Sequence, residues 1–203
     1  AKQKDRGEIQ IRLKDMLLKE GLNNSLPTFS ETSIYDYSLF EVFSKILQRS
    51  EKNQLLSGLV DNLCLNCGFE RTYIFDVFNK LYLAVDNLPN LETDEREEGD
   101  KGDINYEICS DMIDVVLDIS GIFGDNNNED PYFDDNSTGF IRIAKSEKNE
   151  QSGENDQKVV YLRFIDSNLA LVCMAKEQTF QKPQLLEHNI KIFREAVKQI
   201  FNK

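Results

Sequence analysis

Apolar positions recur along the chain with two different periods, and the places where the period changes mark the expected elements. Ile9, Leu13, Met16 and Leu17 stand at helical spacing within residues 6–20, and Gly21 supplies a stop. After Leu26-Pro27, the short run Thr28 to Ser33 reads as a strand. Asp36 or Ser38 is then placed to cap a second amphipathic helix carrying Leu39, Val42, Phe43, Ile46 and Leu47. The polar stretch Gln48 to Asn53 closes this helix–strand–helix unit, and a domain boundary is expected there, dividing 1–53 from 54–203.

Beyond the boundary the pattern changes. Gln54 to Cys67 is helical and meets a C-cap glycine at Gly68. Arg71 to Val77 and Leu81 to Asp86 are rich in β-branched and aromatic residues around a turn at Phe78-Asn79-Lys80, which predicts a hairpin. A long helix over 104–123 follows, then a strand from Gly139 to Ala144 and a polar loop from Lys145 to Gln157. Val159 to Ile165 and Leu169 to Lys176 form an antiparallel pair turned at Asp166-Ser167-Asn168. Pro183 opens a last helix to Phe201, with Leu185, Leu186, Ile190, Phe193, Val197 and Ile200 on one side. The order α-β-β-α-β-β-β-α predicts an α+β fold, a five-stranded antiparallel sheet with three helices packed against it.

The helix over 104–123 carries more apolar surface than one sheet can cover. At 100° per residue, Glu107, Asp111, Asp114 and Asp118 gather within roughly 60° of one another. Ile108, Cys109, Met112, Ile113, Val115, Val116, Leu117, Ile119, Ile122 and Phe123 spread over roughly 220°, where packing on one layer needs little more than 100°. The excess calls for a second covering surface, and a partner chain is the favoured one. Ile108, Met112, Val115, Val116 and Ile119 are the expected contacts on the helix. Phe140, Ile141 and Ile143 are the expected ones on the following strand, whose proline-free edge suits pairing with another strand.

Charge and cysteine content change this picture little. The net charge of −12 is concentrated in two runs, Glu92 to Asp103 and Asp125 to Asn136, each of net −5, which read as solvated loops. No basic stripe with interleaved aromatic residues is present, which argues against nucleic-acid binding. No apolar run approaches a membrane span, and Ala1 to Glu8 is charged with no apolar segment behind it, so neither membrane insertion nor a secretory signal is expected. Cys64 and Cys67 form a C-x-x-C inside an apolar helical pattern, with Cys109, Cys173 and a single histidine, His188, elsewhere. That inventory suits reduced core thiols better than zinc or redox chemistry. His188 has no nucleophile placed beside it, and the helical acids Asp111, Asp114 and Asp118 read as a solvated face. No catalytic or metal site is expected.

Several segments, taken in order, resemble the Rag GTPases, most closely the C/D-type branch. Phe75-Asp76-Val77 and the run from Lys80 to Asp86 are similar to the first hairpin of the Rag C-terminal domain, which has a roadblock-type fold. Tyr106-Glu107-Ile108-Cys109-Ser110-Asp111-Met112-Ile113-Asp114 resembles its central helix. Leu169 to Cys173, and His188-Asn189-Ile190 with Phe193-Arg194, resemble its last strand and helix. Thr32-Ser33-Ile34-Tyr35-Asp36, with Phe40 to Ser44, resembles the end of the Rag G domain.

The resemblance implies that residues 1–53 correspond to the end of a Ras-like α/β G domain, with Thr32, Ser33 and Ile34 the remainder of its guanine-base loop. Residues 54–203 would then be a roadblock-like dimerisation domain. It implies GTP or GDP with Mg²⁺ for a complete protein, but no cofactor in this stretch, which has neither G-x-x-x-x-G-K-S/T nor Asn-Lys-x-Asp. By the same resemblance the partners would be an A/B-type Rag, a Ragulator-type scaffold and the target-of-rapamycin kinase complex. The chain would then be cytoplasmic, recruited to the lysosomal or vacuolar surface in amino-acid signalling. The alternative is a stand-alone roadblock adaptor without nucleotide chemistry.

Overall fold

The structure, a computed structural model, describes residues 2–21, 29–87, 101–123, 133–135, 137–143, 157–166 and 168–201. Leu26-Pro27, the polar loop at 145–156, Ser167 and most of the two acidic runs lie outside the described residues.

Among the described residues, five helices and five strands follow one another in the expected order, save for the strand expected at 28–33. They are α1 (Lys2–Lys19), α2 (Ser38–Leu47), α3 (Glu51–Cys67), β1 (Arg71–Asp76), β2 (Leu81–Val85), α4 (Lys101–Phe123), β3 (Thr138–Arg142), β4 (Lys158–Asp166), β5 (Leu169–Lys176) and α5 (Pro183–Phe201). A 3-10 turn at Glu177–Gln181, which the apolar pattern does not announce, joins β5 to α5. The strands form one antiparallel sheet in the order β2-β1-β5-β4-β3, so the central strands are β1, β5 and β4.

Local chemistry sets the element limits. Helix α3 begins three residues before its apolar pattern does, because Ser50 accepts a hydrogen bond from Asn53 N and caps it. Asn53 in turn donates from Nδ2 to the Leu47 carbonyl at 2.8 Å, fastening the end of α2 to the start of α3. At the far end Gly68 takes φ +72° and its N–H returns to the Cys64 carbonyl, a left-handed cap that a residue with a Cβ adopts only under strain. The β1–β2 turn is held by Asp76, whose Oδ1 accepts from the N–H groups of Phe78 and Asn79, both at 3.1 Å.

Two cores sit on opposite faces of the sheet. On one, α3 and α5 cover Ile74, Tyr161, Ile165, Leu171 and Cys173 with Leu56, Val60, Ile190 and Val197. On the other, α4 covers Phe75, Val160, Leu162, Ala170 and Val172 with Tyr106, Cys109, Met112 and Ile113. Alternation along β5 feeds both: Leu171, Cys173 and Ala175 point one way, Ala170, Val172 and Met174 the other. Each fully buried Leu, Ile, Val, Phe or Met side chain among them contributes about 1.5–3 kcal/mol relative to exposure.

One expected strand is absent. Residues 29–33 are not a strand, and 34–37 form a turn leading into α2. A strand needs a neighbour to take its backbone hydrogen bonds, and the described residues place none beside this segment. Ser33 N donates instead to Ser38 Oγ at 2.9 Å, and Ser38 N donates to Asp36 Oδ1 at 3.0 Å.

Candidate pairing surface

The two edges of the sheet are treated differently. Beside β2 lies α2, whose Ser44 is fully buried. Its hydroxyl donates to the Phe40 carbonyl at 2.8 Å and accepts the Tyr82 N–H at 3.0 Å. A helix thus satisfies an edge group of β2. The Tyr37 ring, just ahead of α2, lies 5.5 Å from the ring of Tyr106 on α4, and its hydroxyl donates to Asp111. The sequence pattern did not single out this seat for α2; Ser44 between Phe40 and Leu47 on the apolar side was the one visible sign, a small polar residue where a larger apolar one belongs.

The β3 edge is bare: β3 pairs with β4 on one side, and among the described residues no strand or helix bonds to its other side. On this strand Gly139 is required by close approach. A Cβ there would stand 2.6 Å from Met112 Cε and 3.2 Å from Val116 Cγ2. The missing side chain lets α4 lie directly on β3, so the outward side of the helix and the open edge adjoin.

The side chains expected at a partner sort into four groups. Val115 (50% exposed), Ile119 (52%) and Ile141 (40%) are outward, and Ile122 (71%) and Phe123 (80%) extend the same apolar ridge. Ile108, Val116 and Ile143 are half-buried against the inner core. Met112 corrects the expectation, being 1% exposed and packed on its own sheet. It lies about 60° around the helix from Val115, on the side that closes over Gly139. Phe140 points to the opposite face, its ring 5.1 Å from that of Phe180 and beneath the guanidinium of Arg142.

Acidic side chains flank the ridge without forming a metal centre. Asp114 pairs with Lys80 Nζ at 2.6 Å, and Asp111 accepts from Tyr37. Among the described residues no three His, Cys, Asp or Glu converge to hold an ion. The thiols are free and shielded. Cys64 donates to Thr72 Oγ1 at 3.0 Å and burial pushes its thiol up to about 12, while burial also raises Cys67, Cys109 and Cys173. Such thiols stay protonated and make poor nucleophiles and poor ligands. His188 is on the exposed side of α5.

Thr32, Ser33 and Ile34 sit together in the turn before α2, where Thr32 and Ile34 are exposed and Ser33 is half-buried. The polar groups of Ser33 are engaged locally, its N–H with Ser38 and its hydroxyl as acceptor for Tyr35 N at 3.0 Å. Bonds from Ser38 hold the Asp36 carboxyl below its ordinary range. These residues form a locally bonded turn ahead of α2, and on their own they offer no cradle that fits a guanine nucleotide or its magnesium.

A five-stranded antiparallel sheet with helices on both faces, in this chain order, defines an α+β module. The family model described as "Gtr1/RagA G protein conserved region" matches residues 1–113, and the chain belongs to that family. Ras-related GTP-binding protein D of Mus musculus is 35% identical over 198 residues, covering 96% of this chain and 39% of its own length. GTP-binding protein gtr2 of Schizosaccharomyces pombe is 34% identical over 96% of this chain and 57% of its own, and Ras-related GTP-binding protein C of Homo sapiens 33% over 96% and 44%. The chain spans about half the length of the curated relatives it matches. Among solved structures, Myxococcus xanthus MglB is similar at 14% identity and TM-score 0.48 over 75% of this chain and 92% of that one. A Roadblock/LC7 domain from Streptomyces avermitilis is similar at 10% identity and TM-score 0.44, over 72% and 98%.

Proposed function

We propose that this chain is the pairing module of a C/D-type Rag GTPase, joining an A/B-type Rag through α4 and the open edge of β3. The observation that carries this reading is the unequal protection of the sheet. An exposed strand edge beside an exposed apolar ridge is a liability that a partner removes, whereas α2 lies against the other edge and Ser44 already takes up its Tyr82 N–H. Edge pairing supplies direction and register through backbone hydrogen bonds, and Val115, Ile119 and Ile122 supply the apolar contact.

In the complete protein, guanine nucleotide and Mg²⁺ would be held by the G domain. The pair would rest on a Ragulator-type scaffold at the lysosomal or vacuolar surface and report amino-acid sufficiency to the target-of-rapamycin kinase complex. Kinship with proteins named as GTP-binding supports this over a stand-alone adaptor.

Sedimentation of the chain alone and mixed with an A/B-type Rag C-terminal domain tests the pairing. A one-to-one complex at micromolar concentration is expected. Ile119→Asp should weaken it by about tenfold or more while the circular dichroism stays native, since a desolvated charge at the contact costs at least 1.4 kcal/mol. Persistence of monomers in the mixture would defeat the proposal.

A further inference from the structure

We propose that the groove between β4 and α5 is a docking site for an acidic peptide segment of a partner chain. The groove, of about 400 Å³, is lined by Arg163, Glu187, His188, Lys191 and Arg194 over a floor at Ile190. Three permanent cations and a histidine line the groove with one carboxylate, Glu187, and a second, Asp135, pairs with Arg194, on a chain whose net charge is −12. Lys191, Arg194 and Lys198 follow one another at helical spacing along α5, and Arg163 stands opposite on β4.

Arg163 is incompletely satisfied. Its Nε is buried without a hydrogen-bond partner, and its bond to Glu187 Oε2, at 3.4 Å from Nη2, is long for a charge-assisted pair. Glu187 is shared, because its other oxygen accepts from the Tyr161 hydroxyl at 3.1 Å. Arg194 is held in place by its Nε bond to the Ile165 carbonyl at 3.2 Å and by the Phe164 ring beneath its guanidinium. One carboxylate, that of Asp135, already rests on Arg194. The molecule therefore displays at one end of the groove the contact that a partner would extend along the rest.

The spacing favours a peptide over a compact anion. From Lys191 to Lys198 the helix rises about 10 Å. Alternate side chains of an extended strand are about 6.6 Å apart, so two or three carboxylates on one side of a strand span the cations. A doubly charged phosphate would have to gather the cations at one point, beside Glu187, whereas single carboxylates can straddle it. This face is the one carrying α3 and α5, opposite the α4 ridge, so acidic docking and pairing succeed or fail separately.

Fluorescence anisotropy of a labelled octaglutamate peptide with the 203-residue chain tests the site. Saturable one-to-one binding that weakens with added salt is expected. Lys191→Glu should weaken it by about tenfold or more. Glu187→Gln, which removes the internal competitor, should strengthen it severalfold. Lys52→Glu, an equal change of charge on the first turn of α3, should leave it unchanged. Equal weakening by Lys191→Glu and Lys52→Glu would reduce the effect to net charge and overturn the proposal, as would no response to Glu187→Gln. Displacement of the peptide by millimolar inorganic phosphate at matched ionic strength would make the site one for phosphoryl groups. Binding to phosphatidylserine vesicles, lost in Lys191→Glu and without peptide binding, would make it a lipid site. Either result sinks the peptide reading. A large gain in affinity on neutralising Glu129, Asp130 and Asp134 would make the chain's own acidic run the occupant, again overturning it.

Discussion

Ser44 and Gly139 each fix an edge of the sheet by what their side chains do or lack. Ser44→Ala removes the acceptor of the Tyr82 N–H and should cost about 1–2 kcal/mol in a urea titration, the price of an orphaned buried donor. Gly139→Val sets a branched Cβ against Met112 and Val116 and should cost about 1–3 kcal/mol, read as a lower urea midpoint with unchanged slope. The thiols set a pH dependence. Their folded pKa values lie above the unfolded ones, Cys64 at about 12, so the folded chain retains protons that the unfolded chain releases. Their contribution is complete below about pH 8.5 and is lost as pH rises from there toward the folded values. The urea midpoint should therefore fall between pH 8 and pH 10, and alkylation at pH 8 should reach half-buried Cys67 before Cys64, Cys109 or Cys173.

At the scale of elements, the apolar pattern was a good guide both where it marks one buried face and where it is a continuous run bounded by turn residues. Helix α5 and strand β5 run over the residues their patterns predict, Pro183–Phe201 and Leu169–Lys176. Boundaries moved where a cap decides them, as at Ser50. The residues 29–33 were misread because β-propensity describes fitness for a sheet, and a segment without a neighbouring strand has no sheet to fit. The excess apolar arc of α4 was legible, but its division between core and outside was not. A helical wheel says how much surface is apolar; the phase at which the helix settles depends on Gly139 and on the Tyr37–Tyr106 contact, which are tertiary facts. Thus Met112→Asp should unfold the chain, losing the near-ultraviolet signal and several kcal/mol, whereas Ile119→Asp leaves the fold intact and acts on pairing. Equal behaviour of the two variants would mean that α4 is rotated from the phase described.

For the whole molecule, the resemblance reached further than periodicity because five weak motifs in one order constrain a topology that no one of them does. The nucleotide remained beyond it. The groups of Ser33 that the resemblance assigned to a base loop are spent on Tyr35 and Ser38. Titration of GDP with Mg²⁺ into these 203 residues should accordingly release no heat of binding, and micromolar affinity would refute that.

The unequal edges also bear on how far assembly can proceed. A sheet open at both ends can recruit neighbours indefinitely and grows into a fibre. Among the described residues, α2 sits against the β2 edge and takes up the Tyr82 N–H, while the β3 edge is open. Two such sheets joined β3 to β3 have a stopper at each extremity and no site left for a third. The helix that closes β2 acts as a chain terminator, and the stoichiometry of the assembly is limited at a place remote from the contact itself.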